Sequence, residues 1–578
     1  MTPRRYFYLF LGTLTLLRLF FIAQPELTPD ESYYYLWSER MDVCYYSKGP
    51  GVAAALWLGT HLFGVNEFGI RFLSPLLSLG TTLLMFSLAR RLYGESVGIW
   101  TGIMINVVPI FNVGSLLMTI DPLSIFFWTA ALYTFWLALE KSPQFSRWWP
   151  LTGALIGMGF VCKYTNAMEL LSILLLLLFT RKYRRELQRR GFYLMLAAFI
   201  PFTLPPVIWN AQHDWITLAH LSARGGLQKA FHLDFPGFLE FIAQHFGVYS
   251  PLIFGGMLVA LWWAFPLAHN HFKPRFLLAF TLPLWGLYLW LSLKQSGEAN
   301  WTAPAMISLA VLSVALWHEA ARLSLWKRRF AIAALVVGAG MSLLTLDLDL
   351  IRRAGIPLSY NLDPSKRLRG WRTSAESLEN ARVGFESKLG QPVFLIGSSY
   401  GVAADLAFYL NDKRKEGEGH PAIYIPESQA IENQFSFWPR YDELIDLREH
   451  ARTLLKKNDG PEQAQRFAPL QSALAALPVP TATGDEADQH WHNFVRALIA
   501  VAPDLPIDEY ASKEGGVSLF AGRSALYITD RAEEHAPSSI KSGFEKVEMI
   551  SCIDQVRRGL PLRQWRIFAC SNYRGAQL

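Results

Sequence analysis

Ten apolar runs of bilayer-crossing length punctuate the first 346 residues: 6–23, 72–89, 97–113, 122–139, 164–179, 192–209, 251–267, 276–293, 301–317 and 330–346. A shorter run, 148–161, falls between the fourth and fifth, and counting it gives about eleven spans. So many long apolar stretches exclude an ordinary soluble domain. The balance of 52% hydrophobic to 17% charged residues, with 20 Trp, points the same way. The expected fold is therefore a polytopic α-helical membrane protein. Arg4 and Arg5 before the first run resemble a signal peptide, but no small-residue cleavage site follows, so the run reads as a retained span.

Charge tests that count, because orientation must alternate from span to span. With the N-terminus inside, the inner loops hold Arg4, Arg5, Arg90, Arg91, Lys141, Arg147, the cluster from Arg181 to Arg190, Lys273, Arg275, Arg322 and Lys327 to Arg329. The outer loops hold Arg40, Lys48, Lys163, Arg224, Lys229 and Lys294, an imbalance of about three to one. This supports a cytoplasmic N-terminus and the eleventh span. The net charge of +7 is thereby accounted for by short basic loops, so nucleic acid is not an expected partner.

The spans compose a membrane domain over 1–346. Its outer loop 24–70 is too short for a domain and too apolar to float in water, and reads as two helices lying in the interface. Beyond Leu346 the composition turns polar, and 347–578 reads as a soluble α/β domain on the outer side. Strands are expected at 393–396, 422–425, 525–528, 547–550 and 565–569, a helix at 402–410, and a helical insertion near 441–500. Four cysteines show no metal spacing, and Cys552 and Cys570 form a disulfide only if the fold brings them together.

Thr28-Pro29-Asp30-Glu31 is the first polar segment after the opening span. It spells a capping box, with Thr28 as cap and Glu31 three residues on, which leaves Asp30 as an acid the box does not need. A helix start favours the ionised carboxylate, so Asp30 as a base would rely on position more than on a raised pKa. Lys48, in Tyr46-Ser47-Lys48-Gly49-Pro50, shares that loop and either neutralises a phosphate or snorkels to the interface. Asp121 precedes Pro122 at the mouth of the fourth long run, where an ordinary helix cap is the plainer reading. Lys163 sits at the tip of a hairpin. In the assumed orientation all five charges, Asp30, Glu31, Lys48, Asp121 and Lys163, face the outer side. Glu298, Asn300 and Trp301 face it too, as does the segment 210–250 with His213, Asp214, Arg224, His232 and His245. Gly397-Ser398-Ser399-Tyr400-Gly401 has the strand-to-helix context of a nucleophile elbow. Too few residues precede it for that fold, and a small-residue turn is preferred.

Asp30-Glu31-Ser32-Tyr33, Tyr46-Ser47-Lys48-Gly49-Pro50, Asp121-Pro122, Lys163-Tyr164 and Asn300-Trp301 together resemble a family. It is the GT-C class of polytopic glycosyltransferases, in the branch of the protein O-mannosyltransferases and the lipid A aminoarabinose transferases. The resemblance covers about the first 320 residues. Tyr409-Leu410 and 433–439 resemble bacterial tails more loosely. It implies a bacterial inner-membrane enzyme with its tail in the periplasm, using a polyprenyl-phosphate sugar donor and inverting the anomeric centre. The implied acceptor is lipid A, another lipid, a glycan or a protein, with membrane lipids as surroundings. Asp30 then resembles the acid at the acceptor or reacting centre, accompanied by Glu31, and Asp121 the second acid. Lys48 and Lys163 resemble carrier-phosphate ligands, and Tyr33, Tyr46, Glu298, Asn300 and Trp301 would line the substrate. Gly49 departs from the family, whose close lipid A members follow the lysine with two prolines. No cofactor is implied, and a divalent metal, though compatible with two acids, is not indicated by any ligand spacing. A rival reading, a transporter or flippase of a lipid-linked glycan precursor, calls for charges near the midplane and paired repeats, and no repeat is evident.

Overall fold

The computed structural model describes residues 2–575 except 228–231, 429, 459, 478–484, 504–506, 508–516 and 532–534, so Lys229 lies outside the described residues. The chain divides into two compact units, Met1–Arg369 and Gly370–Leu578. The composition changes at 346, but the segment that follows belongs with the membrane unit. Asp349 and Asp363 both bind Arg352, at 2.9 and 2.6 Å, and Arg369 reaches Asp347 and Asp349 at 2.5 and 3.2 Å. Polar residues placed there serve a buried ion network.

In chain order the first unit comprises α1 (Pro3–Phe21), α2 (Pro29–Ser38), α3 (Gly51–Phe63), α4 (Glu67–Arg71), α5 (Leu73–Tyr93), α6 (Glu95–Val107), α7 (Pro109–Gly114), α8 (Ile120–Glu140) and α9 (Trp148–Cys162). There follow α10 (Met168–Phe179), α11 (Arg190–Gln212), α12 (Ile216–Arg224), α13 (Phe235–Val248), α14 (Pro251–Asn270), α15 (Phe272–Ser292), α16 (Ala303–Leu323), α17 (Leu325–Leu346) and α18 (Asp349–Arg353). Among the described residues, seven helices are long and apolar enough to cross a membrane: Glu67–Tyr93, α8, α11, α14, α15, Ala299–Leu323 and α17. Three further apolar helices, Gly51–Phe63, Trp148–Cys162 and Tyr164–Phe179, are shorter.

Two expected spans depart from a simple rod for local reasons. The run 97–113 breaks at Val108, whose backbone is extended before Pro109, as the residue before a proline tends to be. In α1, Arg18 is buried and donates to Asn106 at 2.7 Å, Asn112 at 2.9 Å and Ser78 at 3.2 Å, so its charge is spent on holding α1 against the bundle. Burial sorts the rest: α8 and α16 are 83% buried over their apolar windows and form the centre, whereas α11 and α17 are 17% buried and line the outside.

Loop 24–70 contains two main helices, and α2, expected to lie in the interface, is packed inside the protein. Tyr33 through Trp37 are all buried in protein, with Trp37 stacked on Tyr45 at 4.5 Å. Its aromatic run reflects packing rather than a lipid-facing stripe. The segment 210–250 is likewise helical, not a loop: α11 ends at Gln212, and α12 and α13 follow.

The second unit contains α19 (Trp371–Leu389), β1 (Phe394–Gly397), α20 (Tyr400–Tyr409), β2 (Leu444–Ile445), α21 (Leu447–Lys457), α22 (Pro461–Ala476), α23 (Asp485–Val501), β3 (Val517–Ser518), β4 (Ala525–Thr529), α24 (Ser538–Gly543), β5 (Phe544–Arg557) and β6 (Leu560–Tyr573). Four strands form a sheet in the order β1-β4-β6-β5; β1 and β4 are parallel and the other pairs antiparallel. The strand expected at 422–425 reduces to a single parallel bridge, Ile396 to Tyr424. The insertion near 441–500 is helical and has its own core, built on Leu447, Phe467, Trp491 and Phe494. Cys552 pairs across from Arg566 and Cys570 from Val547, so the two thiols do not meet and both are free.

Candidate active site

The start of α2 separates two adjacent acids into different roles. The capping box forms in both directions: Thr28 Oγ1 accepts from the Glu31 N–H, and Glu31 accepts from the Thr28 N–H. Glu31 also takes two bonds of 2.7 Å from Arg71 and one of 2.9 Å from the Met118 N–H, and it is fully buried. Arg71 spends its remaining donors on the carbonyls of Ile22, Pro25 and Glu26. Every Glu31 oxygen is thus committed to holding α2 against the end of α4 and the approach to α8. In this geometry Glu31 ties packed elements together, whereas a catalytic part was expected of it.

Asp30 is the opposite case. Its carboxylate makes no hydrogen bond or ion pair with any described residue, although its surface is open to solvent. Protein packed around it displaces part of its hydration, and this raises its pKa above the usual carboxylate range. Arg367 and Arg224 pull the pKa back, while Asp121 and Glu31 push it further up. The expectation that helix-start placement would leave Asp30 an ordinary acid is therefore reversed, because desolvation outweighs the helix end and both arginines.

Lys48 stands within electrostatic reach of Asp30 on a turn closed by Tyr45 N–H to Lys48 O at 2.9 Å. Its ammonium has no hydrogen-bond or ion-pair partner among the described residues. Burial lowers its pKa to about 8, Lys163 and Arg224 add to the fall, and Asp121 and Asp30 oppose it. The turn is pressed onto the end of α9 by two glycines. A Cβ on Gly49 would stand 2.4 Å from the Val161 carbonyl oxygen, and one on Gly51 would stand 2.4 Å from Cys162 Sγ. Lys163 follows directly, so this contact fixes Lys48 relative to Lys163.

Lys163 donates to Asp121 Oδ1 at 2.7 Å and is 7% exposed. Asn300, in the short turn Ala299–Thr302 ahead of α16, donates to the other Asp121 oxygen at 2.8 Å. Asp121 is thus gripped from two sides by α9 and α16, and Thr119, not Asp121, caps α8. Trp301 lies under the Arg224 guanidinium at 5.1 Å and beside Tyr288 at 5.4 Å. Tyr46 is buried against His220 at 4.6 Å. Burial, then Lys48 and Arg224, lowers His220 to about 4, so its ring is neutral at ordinary pH.

The fold therefore gathers Asp30, Lys48, Asp121, Lys163 and Asn300 from five separate stretches. Trp301 and Tyr46 join through Arg224 and His220. Tyr33 is buried edge-on to Trp37 at 5.1 Å and belongs to the packing of α2. Glu298 is exposed and makes no ion pair with the described residues. His245 is buried, bonded to Thr302 at 3.0 Å, and supports the Asn300 turn from behind. Sequence reasoning overlooked Arg71, His220 and Arg367, and it named Arg224 without choosing it. Among the described residues no cluster of acids, histidines and cysteines has the geometry of a metal site. Ser399 caps α20 by accepting from Val402 N–H at 3.3 Å, in extended backbone, which is the small-residue turn rather than a strained elbow.

Comparison with known proteins bears on this geometry. Residues 47–209 match the family model of the dolichyl-phosphate-mannose-protein mannosyltransferases. Over those residues the chain is similar to the glycosyltransferase domain of this family. It is 28% identical over 337 residues to the lipid A galacturonosyltransferase RgtD of Rhizobium johnstonii, covering 56% of this chain and 69% of that protein. The undecaprenyl phosphate-α-4-amino-4-deoxy-L-arabinose arabinosyl transferase of Edwardsiella ictaluri is 29% identical over 210 residues, 35% of this chain and 36% of that one. In fold, the whole chain resembles ArnT from Cupriavidus metallidurans bound to undecaprenyl phosphate, with TM-score 0.57, 15% identity and 98% of each chain covered. The glycosyltransferase domain thus sits in a multi-pass membrane protein of GT-C architecture, and the second unit falls within the same whole-chain likeness. The transporter reading gives way to a glycosyltransferase.

Proposed function

We propose that the protein moves a sugar from a polyprenyl-phosphate donor to an acceptor in one inverting displacement at the Asp30–Lys48–Asp121 cluster. The observation that carries this is the pair of unpartnered opposite charges, Asp30 and Lys48, beside a pre-bonded Asp121. As the glycosidic bond breaks, negative charge collects on the carrier phosphate and positive character on the sugar carbon. Lys48 meets the first. Asp121, oriented by Lys163 and Asn300, faces the second. Asp30, with a raised pKa, takes the acceptor proton from the face opposite the leaving phosphate, and no covalent intermediate is needed. Lys163 acts on the phosphate only through Asp121 and Lys48.

Charge balance narrows the donor. With Lys163 set against Asp121, the described cluster turns Arg224 as well as Lys48 toward Asp30. With Lys48 on the carrier phosphate, Arg224 is left for the sugar, so a sugar bearing a carboxylate suits the site better than one bearing an amine. RgtD is named for a galacturonosyl group, and the Edwardsiella relative for an amino sugar. Arg224 above Trp301 is the assigned carboxylate partner. The acceptor is lipid A or another envelope molecule, and the basic loops orient the site to the periplasmic face of a bacterial inner membrane.

The test supplies purified protein with polyprenyl-phosphate donors carrying uronic, neutral and amino sugars. Asp30→Asn should lose roughly 100- to 10,000-fold in rate, and Lys48→Ala should weaken donor use. Arg224→Gln should lose the uronic preference while keeping neutral-sugar transfer. Rapid turnover by Asp30→Asn removes the assigned base, and lipid translocation without transfer restores the rival reading.

A further inference from the structure

A second feature lies at the other end of the bundle. Helices α6, α14, α16 and α17 enclose a cavity of about 510 Å³. Met104, Ile253, Met257, Val314 and Leu335 give it apolar walls, and Arg322, Arg328 and His318 stand at one end. Its place relative to the Asp121 site follows from helix geometry. Asn300, which bonds Asp121, immediately precedes α16, and Arg322 is next to last in that helix of 21 residues. At 1.5 Å per residue the two ends are about 30 Å apart, the thickness of the hydrocarbon layer. Ser313 to Arg322 spans about 13 Å, so the cavity is roughly one leaflet deep.

The basic end is not neutralised from within. Arg322 pairs with Glu319 at 3.7 Å in an exposed contact of little strength. His318 is bonded to Ser96 at 2.9 Å, and Lys327 lies over the Trp263 ring at 5.2 Å. Arg328 is exposed and its side chain has no hydrogen-bond or ion-pair partner among the described residues. Trp317 donates to the Gly256 carbonyl at 2.8 Å and so braces the wall between α14 and α16. An apolar slot one leaflet deep, closed at the water side by an uncompensated guanidinium, complements a chain-bearing anion.

We propose that this slot binds one anionic phospholipid of the leaflet opposite the reaction site. Its phosphate sits between Arg322 and Arg328, and an acyl chain lies along α16 and α17. The site is independent of the transfer chemistry, and it stands or falls without it.

Native mass spectrometry of the full chain in mild detergent, with phosphatidylglycerol and phosphatidylcholine in equal amounts, reads the proposal directly. The wild type should retain phosphatidylglycerol several-fold over phosphatidylcholine. Arg322→Gln with Arg328→Gln should abolish the preference, weakening phosphatidylglycerol binding by roughly tenfold or more. The Lys pair, Arg322→Lys with Arg328→Lys, should restore it, which separates charge from misfolding. Gly256 has room for a Cβ, at 3.4 Å from Trp317 and 3.5 Å from Phe330, so Gly256→Leu should fill the slot and reduce both lipids. Equal retention of the two lipids by the wild type overturns the proposal. So does undiminished phosphatidylglycerol binding by the Gln pair, or displacement of phosphatidylglycerol by polyprenyl phosphate in wild type but not in Gly256→Leu.

Discussion

Asp30 and Lys48 are each displaced from their ordinary acidity toward neutrality, and together they set a pH window. In the proposed mechanism transfer needs Asp30 ionised and Lys48 charged. As pH falls through the raised Asp30 pKa the base is lost, and as pH rises past about 8 the ammonium of the free enzyme is lost. We therefore expect a bell-shaped kcat/KM with its alkaline limb near 8, and Lys48→Arg should move that limb upward because a guanidinium stays charged. A profile unchanged by Lys48→Arg would take the alkaline limb away from this residue. Asp30, Lys48 and Asp121 were legible in the sequence because a charge bordering an apolar span demands a reason. Glu31 was ambiguous, since a capping box predicts its bond to Thr28 but says nothing of Arg71, forty residues away. Arg224 and His220 were hidden because the helix carrying them read as one stretch of an unstructured loop.

Among elements, the contact between the Lys48 turn and the end of α9 decides how the two lysines are spaced. Gly49 is required there by proximity rather than by an unusual backbone, because any Cβ meets the Val161 carbonyl. Gly49→Ala should cost roughly 1–3 kcal/mol by overpacking, visible as a lower Tm, and should reduce transfer by more than its stability loss predicts. Equal Tm for the variant and wild type would show that the turn has slack. The helices were readable because apolar runs of this length have few other fates in a membrane. Their ends were not. The break at Val108 and the burial of α2 depend on Pro109 and on tertiary neighbours, and an aromatic stripe looks alike whether it faces lipid or protein.

At the scale of the whole molecule, the membrane unit and the sheet order of the tail were legible to different degrees. Hydropathy marks spans directly, whereas the parallel pairing of β1 with β4 joins strands more than a hundred residues apart, with no local signal for register. The boundary falls after Arg369, and ion pairs internal to 347–369 knit that polar segment together, which composition does not reveal. The charge pattern of the loops predicts that single cysteines placed at exposed positions of the second unit, such as Glu548, are labelled by a membrane-impermeant reagent from the periplasmic side. Labelling only after the membrane is opened would invert the topology. Finally, Asp30 and Lys48 have no hydrogen-bond or ion-pair partner among the described residues, so a bound donor phosphate should give Lys48 the counter-charge that its neighbours do not. A donor analogue at about 100 times its Kd should stabilise the fold by about 2.7 kcal/mol, and occupancy should be readable as a melting shift before any sugar has moved.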